Sequence, residues 1–160
     1  MKESFYNTGI KWQIEMLWWL ITTVIVVLIM TPIFTNLGNS YPFYLANIIF
    51  IIVFITLTRY IFLLKYTLFS HATWVKALFV FLPIPLFLYC IDSLYDFQRF
   101  LDEEGLISIM DELSSTSQTK LAKYIQYEKL LFGSGAILTL VMFPLRMIVS
   151  IWRVRNRGTV

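Results

Sequence analysis

Charge is scarce in this chain. Of its 160 residues only 14% are Asp, Glu, Lys or Arg, while 58% are hydrophobic and 18% aromatic. A soluble domain carries about 25% charged residues, so a water-soluble fold is excluded for want of polar surface, and so is a disordered tail. Cysteine is almost missing too: Cys90 stands alone, which excludes an internal disulfide. His71 is the one histidine, which excludes a multi-histidine metal site. The sequence also lacks H-x-x-x-H, C-x-x-C, G-x-S-x-G and a phosphate-binding glycine loop. A chain without these groups is expected not to be an enzyme and to use neither metal nor cofactor.

What is present is long apolar runs. A helix needs about 20 mostly apolar residues to cross the roughly 30 Å hydrocarbon layer. No charged residue falls between Glu15 and Arg59, which leaves room for two spans separated by the polar, turn-forming stretch Thr35-Asn36-Leu37-Gly38-Asn39-Ser40-Tyr41-Pro42. The pattern predicts spans at about 13–34, 43–64, 74–95 and 130–152, followed by a basic tail at 153–160. The first run exceeds the 7–15 apolar residues of a signal peptide and no small-residue cleavage site follows it, so a retained span is expected. The predicted fold class is all-α: one polytopic membrane domain over residues 1–160 with four transmembrane helices, the third and fourth extended outside the membrane as a helical hairpin over about 96–129.

Orientation follows from Lys and Arg, which collect on the cytoplasmic side. With the N-terminus inside, the inner set is Lys2, Lys11, Arg59, Lys65, Lys76, Arg146, Arg153, Arg155 and Arg157, while Arg99, Lys120, Lys123 and Lys129 lie outside. This bias predicts that both termini are cytoplasmic. The aromatic residues agree, with Trp12, Trp18, Trp19, Trp74 and Trp152 near the inner boundary and Tyr41, Tyr44, Tyr89, Tyr95, Tyr124 and Tyr127 near the outer one. Small size and short loops favour a bacterial inner membrane.

In the outer segment, Leu94, Phe97 and Leu101 repeat at helical spacing, and a second stripe follows Gly105 at Leu106, Ile109, Met110 and Leu113. The run Ser114-Ser115-Thr116-Ser117 reads as a turn and N-cap for a helix that continues into the fourth span. The expectation is two long arms meeting at that turn, with Gly105 as a kink in the outgoing one. Acids are concentrated here, from Asp92 to Glu128; Asp92 and Asp96, one helical turn apart, could share a cation, but with Arg99 three residues on they read as a solvated face containing an ion pair. The stripes either close the hairpin on itself or dock a partner.

Ionisable residues within or beside spans are functional candidates. Arg59 and Arg146 fall about 24 Å below the outer ends of their spans at 1.5 Å per residue, with Glu15 and Lys76 at similar depth. The simpler expectation is that each snorkels alone to the headgroups. The sharper one is a cytoplasmic-side polar cluster of Glu15, Arg59, Lys76 and Arg146 in which Glu15 pairs with Arg59 or Arg146. Nearer the midplane stand hydroxyls such as Thr22, Thr23, Thr56 and Thr139, a poor supply for proton-coupled transport. Pro83 and Pro85 interrupt the third span, either as an ordinary kink or as the edge of a cavity. Gly133-Ser134-Gly135-Ala136 is a small-residue patch that admits another helix closely, most simply one from the same chain. Arg153, Arg155 and Arg157 read as a topogenic anchor able to hold lipid headgroups, with no reason to invoke nucleic acid.

These features predict a non-catalytic accessory or interaction subunit of a membrane complex, or a homo-oligomer, whose partners are membrane lipids and a membrane protein or another copy. The alternative is a passive channel or uncoupled carrier using the Pro83–Pro85 kink, and the third reading is a lipid-modifying membrane enzyme.

Overall fold

The structure is a computed structural model; it describes the backbone of residues 2–64, 73–111 and 113–156, and the side chains of 9–64, 77–111, 113–153, 155 and 156. Lys76, His71 and Arg157 lie outside the described side chains. The described elements are all helical: α1 Lys2–Leu37, α2 Tyr44–Leu63, α3 Thr73–Phe81, α4 Pro83–Glu103 and α5 Ser115–Arg155, with short 3-10 turns at Gly38–Ser40 and Leu106–Ile109. Four stretches are long and apolar enough to cross a membrane: Gly9–Ser40, Tyr44–Leu63, Ala77–Glu103 and Ser115–Arg153. Helix is the form such runs must take in lipid, because it satisfies its own backbone. Threonines follow the same rule. Thr22, Thr31 and Thr139 each bond a carbonyl four residues back, to Trp18, Val27 and Gly135, so these hydroxyls serve their own helices.

The most extensive contact joins α2 and α5. Their contacts pair Asn47 with Lys129 and Ile61 with Arg146, so the two helices run parallel. α1 runs antiparallel to α2, with Glu15 on Arg59 at one end and Tyr44 on the Ile33 carbonyl at the other. α3 and α4 run antiparallel to α5, since Phe79 meets Phe143 and Leu94 meets Gly133. The core therefore has two parts. One surrounds Phe50, Leu57, Cys90, Leu140 and Phe143; the other surrounds Ile33, Ile51, Phe97, Met110 and Ile125.

The small-residue patch on α5 packs within the chain. A Cβ at Gly135 would stand 2.7 Å from the Phe54 ring of α2, and one at Gly133 would stand 2.8 Å from a Leu94 methyl of α4. The ring is held edge-on against Phe132 and has little room to yield, whereas a leucine tip can turn away. Gly135→Ala is expected to cost about 1–3 kcal/mol, the range for overpacking, and Gly133→Ala clearly less. Thermal unfolding of both variants in detergent checks this, and equal losses would contradict it.

Two expectations need correction. Gly105 does not kink a continuing arm: with φ of +75° and ψ of 152° it adopts a conformation open essentially to glycine, and α4 stops at Glu103. Its N–H closes the helix end on the Phe100 carbonyl at 2.9 Å. The outgoing arm therefore falls short of the Ser/Thr turn. Leu106 and Met110 form a 3-10 turn and loop that fold back, almost fully buried, into the second core cluster. The stripe was apolar because it is core, not because it is an α-helix. α5 does start after Ser114, whose hydroxyl pairs with Ser117 at 3.0 Å rather than capping the backbone.

The Pro83–Pro85 interruption is slight. Leu82 keeps helical angles and still donates to the Leu78 carbonyl at 3.2 Å. The two prolines occupy the first turn of α4, where missing N–H groups cost least.

Candidate functional site

Buried polar side chains gather at the two ends of the bundle. At the first end, Glu15 of α1 and Arg59 of α2 form an ion pair at 2.7 Å, with the residues only 5% and 7% exposed. The guanidinium lies 5.5 Å from the Trp18 ring centre and 5.3 Å from that of Tyr60, close enough for both rings to stabilise its charge. One atom on each partner is unmatched: Glu15 Oε1 and Arg59 Nη2 are buried without a hydrogen-bond partner among the described residues.

Arg59 thus does not snorkel, because its charge is held inside the bundle by Glu15. Arg146 serves a different group. Its Nε donates to the Ile61 carbonyl at 3.0 Å, one of the last-turn carbonyls of α2 that have no partner within the helix. A cation at that end also suits the helix dipole. The structure brings Glu15 and Arg59 together and gives Arg146 to the end of α2; Arg153 and Arg155 are exposed. Pro83 is buried and Pro85 exposed.

A half-open groove of about 480 Å³ has Glu15 among its lining residues. Trp12, Met16 and Trp19 of α1 form one wall, Phe79, Leu82 and Leu86 of α3 and α4 the other, with Ile52, Val53, Thr56, Leu57 and Tyr60 of α2 and Phe143 of α5 behind. Its lining is overwhelmingly apolar.

The second end holds a cluster missed in the sequence. Asn47 is fully buried and links three groups: its amide donates to Glu128 Oε2 at 2.6 Å, while its carbonyl accepts from Lys129 Nζ at 2.7 Å and, more weakly, from the Tyr41 hydroxyl at 3.4 Å. Lys129 is 1% exposed, and its ammonium faces Phe97, Phe43 and Phe50 at 4.6, 4.8 and 5.3 Å. Glu128 and Lys129 were expected in the outer loop, outside the membrane. They are instead turned inward, because α5 is already packed against α2 and α4 at that level. Burial, reinforced by the nearby Glu128 carboxylate, pushes the Tyr41 phenol well above its ordinary pKa, so it remains a donor. Tyr124 anchors α1 to the same region through the Ile29 carbonyl at 2.8 Å.

In the second cluster too one carboxylate oxygen, Glu128 Oε1, is buried without a hydrogen-bond partner among the described residues, while aromatic rings surround the Lys129 ammonium. The first differs in that Glu15 is also among the residues lining a groove. Among the described residues no group of His, Cys, Asp and Glu is placed to hold a metal ion. Asp96 and Arg99, an exposed pair at 3.4 Å on α4, form a local surface contact. No known family, curated protein or solved structure matches this chain.

Proposed function

We propose that the protein is a small non-catalytic integral membrane protein that works by binding within the bilayer, as an accessory subunit of a membrane complex or as a homo-oligomer. The observation that carries this reading is the asymmetry of α1. One residue line, including Glu15, Met30, Ile33 and Leu37, is buried, while Met16, Leu17, Leu20, Val24, Val27 and Leu28 form a broad exposed apolar face. Only 17% of its most apolar window is buried, against 50% for α2. A helix locked by a buried ion pair on one side presents a fixed surface on the other, which suits a partner helix.

Orientation in this proposal has both termini in the cytoplasm, on the strength of Lys11, Arg59, Arg146, Arg153 and Arg155 at one end of the bundle and the acids around Asp102, Glu103, Glu104 and Asp111 at the other. The location we propose is a bacterial inner membrane. The apolar walls of the groove beside Leu82 and Leu86 weigh against solute passage at the proline pair.

Site-specific photocrosslinkers at Leu20, Val24 and Val27 in native membranes test the reading. A discrete protein adduct, either a dimer or a heterologous partner, is expected from these positions and not from Leu138 on the exposed side of α5. Lipid adducts alone at all four would remove the support.

A further inference from the structure

We infer that the outward face of α4 around Asp92 docks a membrane helix of another protein, one that carries a lysine or arginine in its outer half. The inference rests on the subunit reading but uses a different face from that of α1. α4 belongs to the least covered span: 11% of the apolar window in Ala77–Glu103 is buried, against 50% in Tyr44–Leu63. On its exposed side Leu88, Tyr89, Ile91, Asp92 and Tyr95 line a shallow recess. Asp92 is exposed there and takes no hydrogen bond or ion pair from the described residues. Arg99, the one basic residue of α4, is held by Asp96.

Depth sets this carboxylate apart. Phe97 and Phe100 both pack on Phe43, the residue before α2, so their level marks the outer end of that span. Asp92 lies five residues before Phe97, about 7.5 Å farther toward the membrane centre at 1.5 Å per residue. Side chains lean toward the N-terminus of their helix, and that of α4 points to the opposite end of the bundle. The short aspartate therefore leans away from the outer headgroups and lacks the length with which a lysine snorkels. A charge at such depth ordinarily faces the bundle interior or a paired group, whereas Asp92 faces outward.

The missing group is a cation on a neighbour. A hydroxyl or amide would leave the charge unanswered, while a guanidinium or ammonium on a helix answers it. A second copy does not supply one. Two copies inserted the same way and joined through this face about a two-fold axis normal to the membrane place Asp92 against Asp92. Arg99 stands seven residues, about 10.5 Å, farther out and already holds Asp96 at 3.4 Å.

Photocrosslinkers at Leu88 and Ile91 in native membranes test the inference. A discrete adduct with a different protein is expected, identified by mass spectrometry as a membrane helix with a lysine or arginine in its outer half. Asp92→Leu is expected to lower the adduct yield about tenfold, the scale of one close interfacial charge pair. Asp92→Lys, combined with an acid in place of the partner's cation, is expected to restore it. Because Asp92 is exposed, the purified Asp92→Leu protein is expected to keep its thermal stability, which separates lost docking from lost folding. An adduct that is a dimer of this chain, a partner helix without a basic residue, lipid adducts alone, or an unchanged yield in Asp92→Leu would each overturn the inference. So would an unstable purified Asp92→Leu, since Asp92 would then be holding the chain's own fold. Adducts from Leu20, Val24 and Val27 of α1 with none from α4 overturn this inference alone; none from either face removes the subunit reading with it.

Discussion

Arg59→Met is expected to destabilise the protein by about 3–5 kcal/mol, the range for removing one member of a buried ion pair. Glu15, which is only 5% exposed, would then lose both its counter-charge and the hydrogen bond from Arg59. The double variant Glu15→Met with Arg59→Met removes both charges and fills similar volume, and is expected to recover most of the loss, because apolar replacement of a whole buried pair is often neutral or stabilising. An ordinary interhelical hydrogen bond in a membrane protein is worth only about 0.6 kcal/mol. Equilibrium unfolding in mixed micelles separates the two cases. A single-variant loss below about 1 kcal/mol, or a double variant no better than the single, would mean that the pair is a local contact rather than a buried charge problem.

Lys129→Met is the second substitution expected to have a large effect. The methionine keeps the apolar stem within the cage of Phe43, Phe50 and Phe97 but deletes the ammonium. Glu128 is then buried beside Asn47 without a cation, and the cost is again about 3–5 kcal/mol. Glu128→Gln is expected to cost less, about 1 kcal/mol, the scale of one net hydrogen bond. Lys129 retains its bond to Asn47 and all three rings in that variant. The same unfolding measurement ranks the two, and a larger loss for Glu128→Gln would show that the carboxylate, not the aromatic cage, holds the ammonium in place.

Four long apolar helices were legible because 14% charge distributed along 160 residues leaves uninterrupted stretches of span length. Glu15 with Arg59 was legible as one option, since both had been placed at one depth; which cation would face the acid depends on helix rotation, and runs that are apolar all round do not reveal it. The second cluster was harder, yet its trace is present. Leu121, Ile125, Phe132, Ala136, Leu140, Phe143 and Met147 follow one another at spacings of four, seven, four, four, three and four, and Glu128 with Lys129 fills the gap of seven. Placing both residues in the loop outside the fourth span left aside the periodicity that puts them in the buried line. Asn47, a lone amide three residues into α2, was the matching half. The loop after Gly105 misled for the opposite reason. Its apolar spacing suited an α-helix, and only the backbone angles of one glycine decided against it.

The polar contacts along α2 and α5 have one further consequence. Lipid chains are as apolar as leucine, so hydrophobicity does not penalise two membrane helices for sliding past each other. A slide of one turn, about 5.4 Å, would still leave apolar faces in contact. Here the slide is blocked at both ends, because Asn47 must meet Lys129 while Arg146 must meet the Ile61 carbonyl. Two pins on a parallel pair work as a ruler: they set the vertical register of the bundle.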